Sequence, residues 1–264
     1  MLQLENIHKT FNPGTINEKV ALNGLNLTLN DGDFVTVIGG NGAGKSTMLN
    51  AIAGTWKPDS GRILVDGVDI TAMPEYKRAK FLGRVFQDPM LGTAADMEIQ
   101  ENLALANRRG KNRGLSWGIK PEERRFYREL LSRINLGLED RLSTKVGLLS
   151  GGQRQAVSLL MASLNQPKVL LLDEHTAALD PKTAQKVLEI TDEIVYENHL
   201  TTLMITHNMR DAIKHGNRLI MMHEGHVVVD VSGEEKQRLT VEDLLDMFTK
   251  ASGNGFVNDR AILS

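Results

Sequence analysis

The stretch FVTVIGGNGAGKSTMLNAIAG (34–54) constrains the fold of this chain more than any other. Its first five residues form a near-continuous β-favouring run with no regular alternation of apolar and polar positions. Such a strand has no face to show to water, so it belongs in a parallel sheet covered by helices on both sides. VLLL (169–172) and TLMIT (202–206) have the same character, and each is followed by a polar loop or a helical pattern. Buried runs alternating with helices specify an α/β fold with a mainly parallel sheet.

Glycines take over where the first of these strands ends. GGNGAGKS (39–46) fits G-x-x-x-x-G-K-[ST], and it stands after a strand and ahead of a helix, as that motif requires. Gly39, Gly42 and Gly44, with Asn41 between them, let successive backbone N–H groups converge on phosphate oxygens. The helix N-terminus that follows, through Ser46 and Thr47, adds favourable partial charge. Lys45 is placed to reach the β- and γ-phosphates, and Ser46 to give a hydroxyl ligand to Mg²⁺. This loop alone leaves kinases, GTPases and many ATPases open.

LLLDEH (170–175) narrows the choice. An apolar strand ending in two adjacent carboxylates sets them at the C-terminal edge of the sheet, beside the phosphate loop. Asp173 can hold the hydration shell of Mg²⁺, and Glu174 can orient or deprotonate an attacking water. His207 follows TTLMIT and so lies on the ligand side of the sheet, within reach of a γ-phosphate and that water. Gln87, in GRVFQDP, offers an amide to the metal or the water. Phe11 is a candidate for stacking on adenine, a contact worth roughly 1–3 kcal/mol, with plain packing an equal alternative.

Composition closes other routes. A net charge of −2 lacks the broad positive field that nucleic-acid binding requires. The absence of cysteine excludes disulfides, thiolate metal sites and thiol catalysis, and fits a cytosolic compartment. The apolar runs are too short to span a bilayer, and MLQLENIHKTF lacks the apolar core of a signal peptide. Membrane work is therefore expected to pass through a partner. RILVDGVDI (62–70) and IMMHEGHVVVDV (220–231) read as hairpins around Asp-Gly and Glu-Gly turns. PEERRFYRELLSRI (121–134) has helical spacing.

Taken in order, the motifs resemble those of the nucleotide-binding subunits of ATP-binding cassette (ABC) transporters. They are the aromatic Phe11, the phosphate loop 39–47, Gln87, LSGGQ (149–153), Asp173–Glu174, ALD (178–180) and His207. LSGGQ is the most specific, because other phosphate-loop classes lack it. The resemblance implies a phosphate-loop NTPase core with a mainly parallel sheet, an N-terminal antiparallel β subdomain and a helical signature subdomain. The expected boundaries are 1–91 and 166–245 for the core with its β subdomain, 92–165 for the helical part, and 246–264 for a C-terminal tail.

It also implies that ATP is sandwiched between two subunits arranged head to tail. Ser150, Gly151, Gly152 and Gln153 of one would then cap the γ-phosphate held by the other, with Asp180 at the interface. Ser150 suits this, being able to cap the helix QRQAVSLLMASL and so set hydroxyl, glycine N–H groups and helix N-terminus around an anion. Because Glu174 and LSGGQ are both intact, a homodimer with two working sites is expected. Other expected partners are an integral membrane permease and, indirectly, an extracytoplasmic substrate-binding protein, with no nucleic acid. The expected location is the cytoplasmic face of the membrane.

Two departures stand out. His175 replaces the Pro usual after the Asp-Glu pair, and Gly40 replaces a frequent Pro or Glu; neither removes a catalytic group. LLDEHTAALDPKTAQKV, MMHEGHVVVDVSGEE and the ending DRAILS resemble a bacterial subgroup of importer ATPases linked to amino acids, aromatic ones among them. The alternatives are a soluble ATPase of an assembly machine, such as iron–sulfur cluster assembly, and an exporter ATPase. NRRGKNRG (107–114) with Arg124, Arg125 and Arg128 reads as a solvated basic surface, or as one facing the permease or the anionic leaflet.

Overall fold

The computed structural model describes residues 1–111 and 118–252. Two sheets organise it. The first is antiparallel, with strand order β2-β1-β4-β5, built from β1 (Leu2–Phe11), β2 (Lys19–Leu29), β4 (Ser60–Val65) and the short β5 (Val68–Asp69). The second runs β10-β9-β3-β8-β7-β6. In it β3 (Phe34–Ile38), β6 (Leu82–Val85), β7 (Val169–Asp173), β8 (Thr202–Ile205) and β9 (Arg218–His223) are parallel, and β10 (His226–Ser232) is antiparallel to β9.

The unalternating strands are buried on both faces. Val169 and Leu171 point into one hydrophobic cluster with α1 (Lys45–Ala53) and the antiparallel sheet, while Leu170 and Leu172 point into another beneath the helical region. Each face supplies a separate core, which is why no polar position interrupts VLLL. Both predicted hairpins form, with Asp66-Gly67 and Glu224-Gly225 all at positive φ, the geometry of a tight two-residue hairpin turn.

Between residues 92 and 165 lie α3 (Ile99–Asn107), α4 (Pro121–Arg133) and α5 (Gly151–Ser163). Their apolar stripes meet in the second cluster, together with α6 (Pro181–Glu197). The short α2 (Glu75–Arg78) and α7 (Met209–Lys214) and the following α8 (Gly233–Arg238) complete the core. The expectation of a tail from residue 246 needs correction. Helix α9 (Val241–Ser252) runs through that point, because Leu244 and Phe248, one turn apart, are buried against β9 and β10. Residues 253–264 of the expected tail, and 112–114 of the basic run, lie outside the described residues.

Candidate nucleotide-hydrolysing site

Sheet register assembles the site. Val37 of β3 pairs with Ile205 of β8, and Ile205 pairs with Asp173 of β7. Three strands therefore end in one row, and the phosphate loop, Asp173–Glu174 and His207 emerge side by side. The edge strand β6 ends one place away, with Val85 paired to Leu172, so the exposed Gln87 joins the same rim.

The phosphate loop takes its shape from its glycines. Gly39, Gly42 and Gly44 have φ of 149°, 82° and 102°, values a residue with a Cβ rarely adopts. A Cβ at Gly39 would sit 2.3 Å from Met222 O, and one at Gly44 would sit 2.5 Å from Ala21 O. Gly44 caps α1 with no side-chain hydrogen bond, so the first-turn N–H groups at Ser46 and Thr47 face outward for an anion. The Lys45 ammonium is buried and donates to Gly39 O at 2.6 Å and Gly40 O at 3.2 Å.

The acids at the end of β7 have different surroundings. Asp173 lies 3.5 Å from Arg84. Burial pushes its carboxyl above the usual range, Glu174 pushes the same way, and Arg84 and Lys45 oppose them. Glu174 has φ of 44° and is held by its N–H donating to Ile205 O at 3.1 Å. Its carboxylate is 3.7 Å from His207 Nδ1, with side chains 23% and 55% exposed respectively, so both reach the rim.

The signature loop opens α5. Ser150 Oγ accepts from Gln153 N–H, and Gln153 Oε1 accepts from Ser150 N–H, both at 3.3 Å. This capping box uses the Ser150 lone pairs and leaves its O–H free to donate outward. Gly151 and Gly152 stand against the start of α6 and the residues leading into it, where added Cβ atoms would lie 3.2 Å from Leu179 and 2.1 Å from Thr183. Asp180 caps α6 by accepting from Thr183 N–H at 3.1 Å, and hydrogen bonding from the Thr183 hydroxyl, then from that N–H, holds its carboxyl below the usual range. LSGGQ and Asp180 thus share one surface. Phe11 is half-buried, edge-on to Trp56 with centroids 5.3 Å apart.

Other residues escape a reading of motifs. An ideal Cβ at Gly42 would lie 2.7 Å from Lys19 Nζ, so Lys19 brings a second ammonium to the phosphate loop. Its only signal is its place opposite Phe11 in the β1–β2 register. Arg84 joins Asp173 to Asn50 of α1, donating to its amide oxygen at 2.8 Å; its signal is a cation inside an otherwise apolar strand. Arg154 donates to the carbonyls of Val146, Gly147 and Leu149 and so braces the turn that leads into LSGGQ. Arg109, within the basic run, is not simply solvated. It lines a cavity of about 320 Å³ with Phe86, Leu91 and Met161, and donates to Ala162 O.

A phosphate loop, a carboxylate-ended strand and a histidine on one rim define a nucleotide-hydrolysing cassette of the phosphate-loop class. The sequence profile described as "ABC transporter" matches residues 22–177, and the chain belongs to that family. It is therefore an ATP-binding ATPase of a transport system. It is 50% identical over 256 residues to the tyrosine transport ATP-binding protein of Clostridioides difficile (strain R20291), covering 95% of this chain and 100% of that one. It is 35% identical to the spermidine/putrescine import ATP-binding protein PotA of Haemophilus influenzae (strain ATCC 51907 / DSM 11121 / KW20 / Rd), covering 89% of this chain and 59% of that one. Among solved structures it is similar to the dimeric post-hydrolysis state of the cassette MJ0796 bound to ADP and Pi, with TM-score 0.74, 32% identity, and 88% of this chain and 98% of that one covered. ABC ATPases dimerise and work with membrane permeases. Among the described residues no helix is long and apolar enough to cross a membrane.

Proposed function

We propose that this cassette pairs with a second copy of itself and energises import of a small solute, an aromatic amino acid, through a membrane permease. The observation that carries the catalytic part is the Glu174 carboxylate, held on the rim 3.7 Å from His207. The phosphate loop holds ATP, with Lys45 and Lys19 facing its phosphates and Phe11 stacking on the base. Ser46, Asp173 and Gln87 would hold Mg²⁺. Among the described residues no group of three or more His, Cys, Asp and Glu side chains has metal-ligating spacing. The donors at the candidate site are all oxygens, from one carboxylate, one hydroxyl and one amide, the kind of set that suits Mg²⁺. Bound there, the ion neutralises charge that develops on the transferred phosphate.

Glu174 then orients the attacking water, and His207 bonds the γ-phosphate from beside it. Ser150, Gly151 and Gly152 of the partner close the site. Asp180 stands next to them, so ATP acts as the joint between halves and its hydrolysis releases them. The cargo assignment rests on full-length likeness to the tyrosine transport protein, and the importer reading on that and the PotA likeness. The permease docks a cytoplasmic segment in the cavity beside Phe86 and Leu91. The chain works at the cytoplasmic face of the membrane, with an extracytoplasmic binding protein delivering the solute.

Glu174→Gln tests the catalytic part. It is expected to bind ATP, lower kcat by about 10²–10⁴-fold and accumulate an ATP-bound dimer in size-exclusion chromatography. Wild-type turnover would remove Glu174 from its role. Uptake of labelled tyrosine by vesicles holding the complete transporter tests the cargo; uptake of some other solute instead refutes it.

A further inference from the structure

Two histidines with no place in phosphate binding are buried behind the Glu174–His207 pair, His175 at 2% and His215 at 3% exposure. His175 Nε2 lies 3.0 Å from Thr191 Oγ1. The Thr191 hydroxyl gives its only hydrogen to Val187 O at 2.8 Å. Its oxygen is thus left purely as an acceptor, so His175 must donate: Nε2 carries the proton and Nδ1 is bare. Burial keeps the ring neutral, pushing its pKa down to about 4, with nearby His215 acting in the same sense. His215 places Nδ1 2.7 Å from Asp192 Oδ2, and the buried Lys236 ammonium donates to the carbonyls of His215 and Gly216.

Thr191 and Asp192 are consecutive on α6, the helix that Asp180 caps. His175 follows Glu174 directly, and His215 ends the helix that starts after His207. The segments carrying the two rim residues are therefore fastened to one turn of α6. Glu174 requires fastening. At φ of 44° it adopts a left-handed conformation that persists only where its surroundings over-determine it. The main chain supplies part, through Glu174 N–H to Ile205 O and Ala177 N–H to Glu174 O. The side-chain part comes from the next residue, His175.

We infer that His175 is a positioning residue for ATP hydrolysis, whose hydrogen bond to Thr191 fixes the strained turn that aims Glu174 and couples that turn to the Asp180 helix. This rests on the role proposed for Glu174. A proline in this position would lack the donor, so the clasp depends on the imidazole N–H of His175.

Thr191→Val removes the acceptor at nearly constant volume. A carboxylate displaced by about 1 Å lowers kcat by roughly ten- to a hundredfold, while KM for ATP stays within about twofold. Thr191→Ser and, with Thr191 intact, His175→Gln are each expected to keep most of the wild-type kcat, because one retains the acceptor and the other sets an amide N–H at the Nε2 position. Wild-type kcat in Thr191→Val, whatever its melting temperature, overturns the inference. So does a parallel fall in kcat and ATP affinity, which marks general disruption. If Thr191→Val does not fold, His175→Gln and His175→Asn decide, since the shorter amide stops at Nδ1. Turnover retained by Gln and lost by Asn supports the clasp, and equal turnover overturns it. Glu174→Gln separates the two claims. Full activity there defeats the catalytic assignment itself, whereas an inactive Glu174→Gln beside a fully active Thr191→Val defeats the clasp alone.

Discussion

Two glycine loops lie at the N-termini of two helices, and they obtain their shapes by opposite means. The loop at 39–44 is shaped by its own backbone, with three glycines at positive φ and two of them pressed against the main chain of neighbouring segments. The loop at 150–153 has no glycine at positive φ; Gly151 and Gly152 lie in the first turn of α5, and their size is dictated by the side chains of Leu179 and Thr183. The first loop is a rigid receptacle. The second is a helix end whose position depends on α6, the helix that also anchors Asp180 and His175. The signature loop, Asp180 and the Glu174–His175 turn thus all take their setting from α6 and the residues that lead into it.

The largest effect that would break this contrast is a mixing experiment. Lys45→Ala protomers are expected to lose ATP affinity by at least about tenfold, since a hydrogen bond to a charged group contributes roughly 1.5–3 kcal/mol. Ser150→Arg protomers are expected to bind ATP normally and not hydrolyse it. Mixed, they form a dimer with one complete composite site, and phosphate release should return. No recovery would mean that each loop serves its own nucleotide.

Glycine substitutions sharpen the comparison at a smaller scale. Gly39→Ala is expected to destabilise by upwards of about 3 kcal/mol in denaturant unfolding, from backbone strain of about 1–3 kcal/mol plus a main-chain clash. No side-chain change can relieve it, because the obstacle is Met222 O. Gly152→Ala should also destabilise, yet Thr183→Ser should relieve it by deleting the one methyl in the way, Thr183 Cγ2. If Thr183→Ser leaves Gly152→Ala unimproved, the signature loop is not shaped by its neighbours.

The smallest expected effect is on acid stability. Unfolded His175 takes up a proton near its ordinary 6.5, while the folded residue resists until about pH 4. Its contribution is therefore complete above pH 6.5 and drains away as pH falls between those values. Between pH 7 and 5 this amounts to about 2 kcal/mol, which His175→Gln should retain. Unfolding free energies at the two pH values check it, and equal slopes for wild type and variant would show that His175 is not held neutral.

Much of the site was legible because its chemistry is local. A strand, a glycine loop and a lysine in order specify a phosphate receptacle, and Ser150 with Gln153 specifies a helix cap within four residues. Lys19, Arg84 and Trp56 were not legible, since each acquires its meaning from a residue far along the chain, namely Gly42, Asp173 and Phe11 respectively. The helix across residue 246 was missed. The helical spacing of Val241, Leu244, Leu245 and Phe248 was there to be read in the sequence, but which face it buries, with Leu244 and Phe248 on β9 and β10, is settled only by docking.

The sequence alone determined the class of the protein, its fold and the identity of its chemical groups, because those follow from periodicity and from motifs a few residues long. Only the tertiary structure decided which groups stand together: that three strands end in one row, that Glu174 meets His207 there, and that LSGGQ shares a surface with Asp180. The same holds for His175, in sequence merely a departure from a common proline, and in the structure a buried donor to Thr191. Register across a parallel sheet and the packing of α5 on α6 join residues far apart in the chain, and no local pattern encodes a contact between elements that meet only when the core closes.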